Sequence, residues 1–275
     1  MTIATDPAHT HEEHLCLASE ESKQKPLRIQ DVSVGYGAVI ALRDATAAAE
    51  PGTFVALLGP NGSGKSTLLK AIVGAASIRS GSISIGDATT VAARRQLIAY
   101  VAQHESVEWS FPITVLNAVE LGQIGRSPWL PWRGPGVRQR ARRALAAVGM
   151  EDLRNRSVGA LSGGQQQRVI IARALMQDAA VFLLDEPLSG VDPGSAQVIL
   201  GLLRRLTREG HTVLMATHDV DEAARYADRV WGMNGSIAVD VPAAEVLQAD
   251  VMRRIYGEHL VILEGGMVAL GDQQR

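Results

Sequence analysis

The sequence predicts an α/β fold built on a mostly parallel, buried sheet, and three observations predict it. Short, wholly apolar runs recur at Phe54–Leu58, Val181–Leu184 and Val213–Ala216, the pattern of strands covered on both faces. A glycine-rich loop follows the first run and opens onto the helical stretch Ser66–Val73. A middle block, 104–160, changes character: it contains helical segments and a Pro/Trp-rich connection, Ser127–Trp132.

The strands are placed in order by alternation. Leu27, Ile29, Val32 and Val34 mark short β-like stretches, Ile83 and Ile85 alternate with polar residues, and Ile98–Val101 is a further strand candidate. In the middle block Val137, Ala141, Ala144, Leu145 and Val148 fall on one helical face. Near the end, Val230–Met233 and Ser236–Val239 flank Asn234-Gly235, a strong hairpin signal. Residues 1–26 hold five acids against two lysines, have no apolar period, and read as a disordered tail. His9, His11, His14 and Cys16 there match no defined zinc spacing, so a solvated polar tail and a metal-binding one both remain open. Pro242–Leu247 is expected to open a helix, and residues 241–275 are read as a helical extension.

Bulk properties exclude several classes. Of 275 residues, 46% are apolar but only 4% aromatic, so aliphatic side chains must fill the core. A net charge of −2 supplies no basic field for nucleic acid. The single cysteine precludes an internal disulfide and fits a reducing compartment. No apolar run reaches the roughly 20 residues that span a bilayer, and the N-terminus lacks the pattern of a secretory leader.

Gly59-Pro60-Asn61-Gly62-Ser63-Gly64-Lys65-Ser66 matches the P-loop pattern in the context of strand, loop and helix. Glycines let backbone N–H groups turn inward as an anion nest, and the helix start adds its positive dipole end. Lys65 is expected to reach the β- and γ-phosphates, Ser66 to ligate Mg²⁺, and Thr67 to line the same site. The motif alone says only nucleoside triphosphate. Val181–Leu184 runs into Asp185-Glu186, and carboxylates at a strand's C-terminal end lie beside the ligand crevice of an open α/β sheet. Asp185 is the candidate Mg²⁺ partner, and Glu186 the candidate to polarise an attacking water.

Leu161-Ser162-Gly163-Gly164-Gln165-Gln166-Gln167-Arg168 resembles the signature run of ABC ATPases, a far more specific marker than the P-loop. Further parts of that family occur in order over residues 27–240. Tyr36 resembles the aromatic that stacks on adenine, although a turn residue between Gly35 and Gly37 is the plain alternative. Gln103 resembles the Q-loop glutamine that joins Ser66 and Asp185 at Mg²⁺. Ser189-Gly190-Val191-Asp192 resembles the D-loop, and His218 the switch histidine that contacts the γ-phosphate.

The resemblance implies a RecA-like P-loop NTPase core, an antiparallel β subdomain, and a helical subdomain inserted at about 104–168. It implies ATP with Mg²⁺ bound between two ATPase domains packed head to tail. Ser162, Gly163, Gly164 and Gln165 would then cover the ATP held by the partner's P-loop, in a homodimer.

The segment His104–Val115 resembles its counterpart in ATPases of manganese, zinc and iron importers, as does Leu188–Asp192. Ser110 departs from the second acid common there. Trp109 and Phe111 suit docking of a transmembrane permease helix, or burial within the helical lobe. The implied setting is the cytoplasmic face of a bacterial membrane, with permease subunits, an extracytoplasmic substrate-binding protein, and no nucleic acid. Six arginines and no acid occupy 121–150, read as a solvated helix face or a lipid-facing one. The alternatives are an ABC ATPase for another cargo and a soluble one acting on DNA or ribosomes. The latter usually carries long coiled-coil inserts or tandem domains, which this sequence lacks.

Overall fold

A computed structural model describes residues 23–103, 112–123 and 135–257, with the backbone of 260–262 and 268–270. The chain opens with β1 (Leu27–Tyr36), β2 (Val39–Ala49) and β3 (Phe54–Leu58), followed by α1 (Lys65–Val73), β4 (Ile78–Ile85), α2 (Val91–Arg95) and β5 (Ile98–Val101). A helical stretch holds α3 (Val115–Glu120), α4 (Pro135–Ala147) and α5 (Gly163–Leu175). Strands and helices then alternate through β6 (Val181–Asp185), α6 (Pro193–Arg208), β7 (Thr212–Ala216), α7 (Val220–Tyr226), β8 (Arg229–Met233) and β9 (Ile237–Pro242). The chain continues with α8 (Ala249–Tyr256), β10 (Leu260–Ile262) and β11 (Val268–Leu270).

The central sheet has strand order β5-β6-β7-β3-β8-β9, parallel except for β9 at one edge. Its three middle strands, β6, β7 and β3, are buried at every position. That is why they read as unbroken apolar runs: helices cover both faces, and no position needs to be polar. A separate antiparallel sheet, β2-β1-β4, packs Leu27, Ile29, Ile83 and Ile85 into a core shared with α1. Val137, Ala141, Ala144, Leu145 and Val148 are all buried, and the helical layer they belong to packs on the opposite side with α5 and α6.

Two features differ from the sequence reading. Within the span expected to be a tail, residues 1–22 lie outside the described residues, and Lys23 is buried with its stem against Gly210. A long aliphatic stem lets lysine cover apolar surface in this way. The C-terminal extension is not all helix. Pro242 closes β9 and caps a single 3₁₀ turn, Ala243–Glu245, where a helix start was expected; α8 follows at Ala249, and β10 pairs with β11 as an antiparallel hairpin. Val251, Met252, Ile255 and Tyr256 of α8 bury against Ala56, Leu58 and Val230. Gly232 permits that approach, since a Cβ there would stand 2.4 Å from Ile255 Cγ1.

Candidate nucleotide site

The site is assembled where β3, β5, β6 and β7 end, all at the same edge of the parallel sheet. The loop after β3 turns sharply back on itself, with Gly59 at φ 155°, Gly62 at 78° and Gly64 at 103°. At Gly59 the packing also demands glycine, and at Gly64 it is tight. A Cβ on Gly59 would meet Met233 O at 2.3 Å, and one on Gly64 would meet Ala41 O at 3.2 Å. Gly235, at the tip of the β8–β9 hairpin, donates its N–H to Ser63 O at 2.9 Å and accepts from Arg43 N at 2.8 Å. The Asn-Gly hairpin therefore braces the P-loop from behind, a role that its turn signal did not reveal.

Gly64 caps α1 without a side-chain hydrogen bond, so the first amides of this helix have no side-chain cap. Lys65 is buried and donates to Gly59 O at 2.6 Å and Pro60 O at 3.1 Å. Burial lowers its pKa, and the charges of Glu186 and Asp185 oppose that shift. Ser63 Oγ is buried with no hydrogen-bond partner among the described residues. Asn61 and Gly62 are exposed, and Thr67 is half-buried.

Ser66 Oγ donates to Asp185 Oδ1 at 2.8 Å across 119 positions of sequence. Asp185 is only 2% exposed, and burial raises its pKa, opposed by the Ser66 hydrogen bond and by Lys70 and Lys65. Beside it, Tyr100 is pushed up to about 12 by burial first and then by the charge of Asp185. A hydroxyl and a buried carboxylate oxygen in contact are hard oxygen donors, the chemistry that suits Mg²⁺. Glu186 follows at φ 48°, a left-handed conformation that non-glycine residues seldom adopt. Its N–H is tied to Ala216 O at 3.1 Å, and its Oε2 accepts from Gln103 Nε2 at 2.8 Å. Strain of this kind persists where surrounding structure fixes it, and it gathers at functional sites. A cleft of about 250 Å³ lies in front of Glu186, lined among others by Ser189, Gly190, Thr217, His218 and Glu222. His218 is exposed at its rim.

Thus Lys65, Ser66, Gln103, Asp185, Glu186 and His218 gather at one edge. Tyr36 stands 51% exposed at the end of β1. Arg79 holds the following turn by donating to Gly37 O. Ser162 and Gly163 are exposed at the start of α5, and their hydrogen bonds do not reach the P-loop among the described residues. Ser162 Oγ accepts from Gln165 N at 3.3 Å, while Gln165 Oε1 accepts from Ser162 N at 3.1 Å. Gly164 is fixed by its neighbour: a Cβ there would meet Asp192 Oδ2 at 2.6 Å. Asp192 in turn caps α6, accepting from Ser195 N at 2.9 Å, and that bond lowers its pKa. At Gly163 a Cβ would meet nothing within 4 Å among the described residues. Trp109 and Phe111 lie outside the described residues. No helix among the described residues is long and apolar enough to cross a membrane.

Comparison with known proteins covers the same ground. A family model described as ABC transporter matches residues 42–189. The manganese transport system ATP-binding protein MntB of Halalkalibacterium halodurans is 38% identical, over 85% of this chain and 93% of that protein. The zinc transport system ATP-binding protein TroB of Treponema pallidum is also 38% identical, over 84% of this chain and 86% of that one. Among solved structures, a nucleotide-free ATP-binding cassette of an ABC transporter superposes with a TM-score of 0.74 at 27% identity, covering 85% of this chain and all of that one (100%). A dimeric bacterial ABC transporter cassette gives 0.70 at 31% identity, covering 79% and 98%.

Proposed function

This chain belongs to the ABC transporter family as an ATP-hydrolysing subunit, and on that premise we propose that it powers import of divalent metal ions. In this reading it works as a homodimer on the cytoplasmic face of the membrane, against permease subunits fed by an extracytoplasmic substrate-binding protein. The observation that supports the ATPase chemistry best is the meeting of Ser66, Asp185, Glu186 and Gln103 at one sheet edge, in two hydrogen bonds of 2.8 Å. The cargo rests on the relatives, manganese and zinc transport subunits aligned over most of this chain.

In the proposed mechanism the P-loop amides and the start of α1 receive the phosphates, and Ser63 Oγ gains the partner it lacks. Lys65 exchanges its two carbonyls for the β- and γ-phosphate oxygens, a stronger charge-assisted contact. Ser66 and Asp185, with Gln103, would hold Mg²⁺, which when bound neutralises charge developing on the phosphates. Glu186 releases Gln103, accepts a hydrogen bond from the attacking water and takes its proton as the water oxygen bonds to the γ-phosphorus, while the bond from that phosphorus to the β–γ bridging oxygen breaks and ADP leaves with its electron pair. His218 steadies the γ-phosphate from across the cleft. Tyr36 offers its exposed ring to adenine. Ser162, Gly163 and Gly164 of the second subunit close the site, with the α5 N-terminus aimed at the γ-phosphate.

The cargo is tested in cells. Deletion of the gene is expected to lower cellular manganese or zinc under limitation, with restoration by the parent gene but not by a Glu186→Gln copy. Unchanged metal content on deletion would remove the metal assignment.

A further inference from the structure

His218 sits in the middle of a three-residue link between the end of β7 and the first turn of α7, with an exposed side chain. Such a link would ordinarily leave it free to swing. Instead, three hydrogen bonds close around it. The Thr217 hydroxyl donates to Glu222 Oε2 at 3.3 Å. Glu222 N–H donates to Asp219 Oδ1 at 2.9 Å. Asp219 N–H donates back to Thr217 Oγ1 at 3.1 Å. Thr217 itself is buried, and its N–H donates to Leu57 O at 3.1 Å, which ties the ring to β3.

The ring is a widened form of a common device. In a capping box, the side chain at the third helical position returns directly to the backbone N–H of the capping residue. Ser162 and Gln165 at α5 do this in two bonds. At α7 the capping pair Asp219 and Glu222 has the same spacing, yet Glu222 does not return to Asp219 N. Thr217 is interposed, so the loop of bonds takes in the residue between them, His218. Helix capping alone requires no such detour. Glu222 also lines the cleft shared by Glu186 and His218. Burial raises its carboxyl pKa, a penalty that an apolar residue would avoid.

We infer that Thr217 and Glu222 are positioning residues for hydrolysis, holding the backbone of His218 so that its imidazole meets the γ-phosphate in line with Glu186. The inference rests on the ATPase reading of His218. Well-aligned groups gain rate by position, and sub-ångström looseness is felt in turnover rather than in ground-state binding.

The test is ATP hydrolysis by the purified full chain, with KM, kcat and thermal midpoint measured on each variant. Thr217→Val is expected to lower kcat about tenfold with KM within about twofold, and Thr217→Ser to restore it. Glu222→Gln, which keeps an acceptor for the Thr217 hydroxyl, is expected to retain kcat, and Glu222→Leu to lose it. Folding is monitored independently, so a variant with a depressed thermal midpoint is replaced by the other pair. Full kcat in both Thr217→Val and Glu222→Leu would overturn the inference, as would a loss confined to KM. His218→Ala separates the two levels: if it hydrolyses ATP normally, the reading of the site fails, whereas its loss beside normal Thr217→Val and Glu222→Leu rejects only the ring.

Discussion

The two helix N-termini assigned to phosphate in the proposed function are finished in opposite ways. The start of α1 is uncapped by any side chain, wrapped by a glycine loop and braced from behind by Met233 and Gly235. Its own Lys65 fills the space by binding Gly59 O and Pro60 O. The start of α5 is closed by a full capping box, and its outward glycine, Gly163, faces open space. The first end presents its uncapped amides within the glycine loop of its own chain. The second is a complete helix start whose exposed face makes no hydrogen bond to the P-loop among the described residues. Under the proposed function, the difference means that one subunit carries two half-sites rather than one site.

The largest expected effect concerns the chemistry between them. Glu186→Gln should slow ATP hydrolysis about a thousandfold while ATP still binds, because the amide cannot take the water's proton; phosphate release under single turnover measures it. Next, Lys65→Ala should weaken ATP binding about a hundredfold, as two charge-assisted contacts are lost; calorimetry on the isolated subunit reads this directly. The comparison predicts a contrast at α5. Ser162→Ala should leave ATP affinity of the isolated subunit unchanged and lower stability by about 1 kcal/mol through the lost cap, with hydrolysis also reduced. An equal loss of affinity in Ser162→Ala would merge the two half-sites into one.

The smallest effect is on stability and has a definite sign. Burial raises the pKa of Asp185 above its usual 3.8. Between those two values the folded chain keeps a proton that the unfolded chain has released, so ligand-free stability falls as pH rises through that window. Asp185→Asn should remove that dependence and raise the ligand-free thermal midpoint at neutral pH by about 2–4 °C, equivalent to about 1 kcal/mol. Midpoints across pH 4 to 8 would show it, and the same variant should lose ATP hydrolysis.

Much of this arrangement was legible in the sequence because its parts are local. A strand buried on both faces shows as an apolar run, and a phosphate loop shows as spaced glycines, so β3, α1 and the Asp185-Glu186 strand end could be placed directly. The helical face of α4 was legible for the same reason. What could not be read depends on distant contact. The brace from Gly235 to Ser63 joins positions 235 and 63, and Asn-Gly announces only a hairpin. The ring around His218 was not read from the sequence, because its detour through Thr217 is set by packing against β3. The β10–β11 hairpin was missed because two three-residue strands are too short for alternation to register. Lys23 was assigned to a polar tail because composition does not show when an aliphatic stem finds a groove.

Mass measurement during gel filtration tests the two-half-site account most directly. Glu186→Gln with ATP and Mg²⁺ is predicted to run as a dimer, and adding either Lys65→Ala or Gly163→Asp in the same chain should return it to monomer. The Gly163 change is informative because a Cβ there meets nothing within 4 Å among the described residues. A Glu186→Gln chain that stays monomeric with ATP, or one that dimerises equally well with Gly163→Asp, would contradict the account.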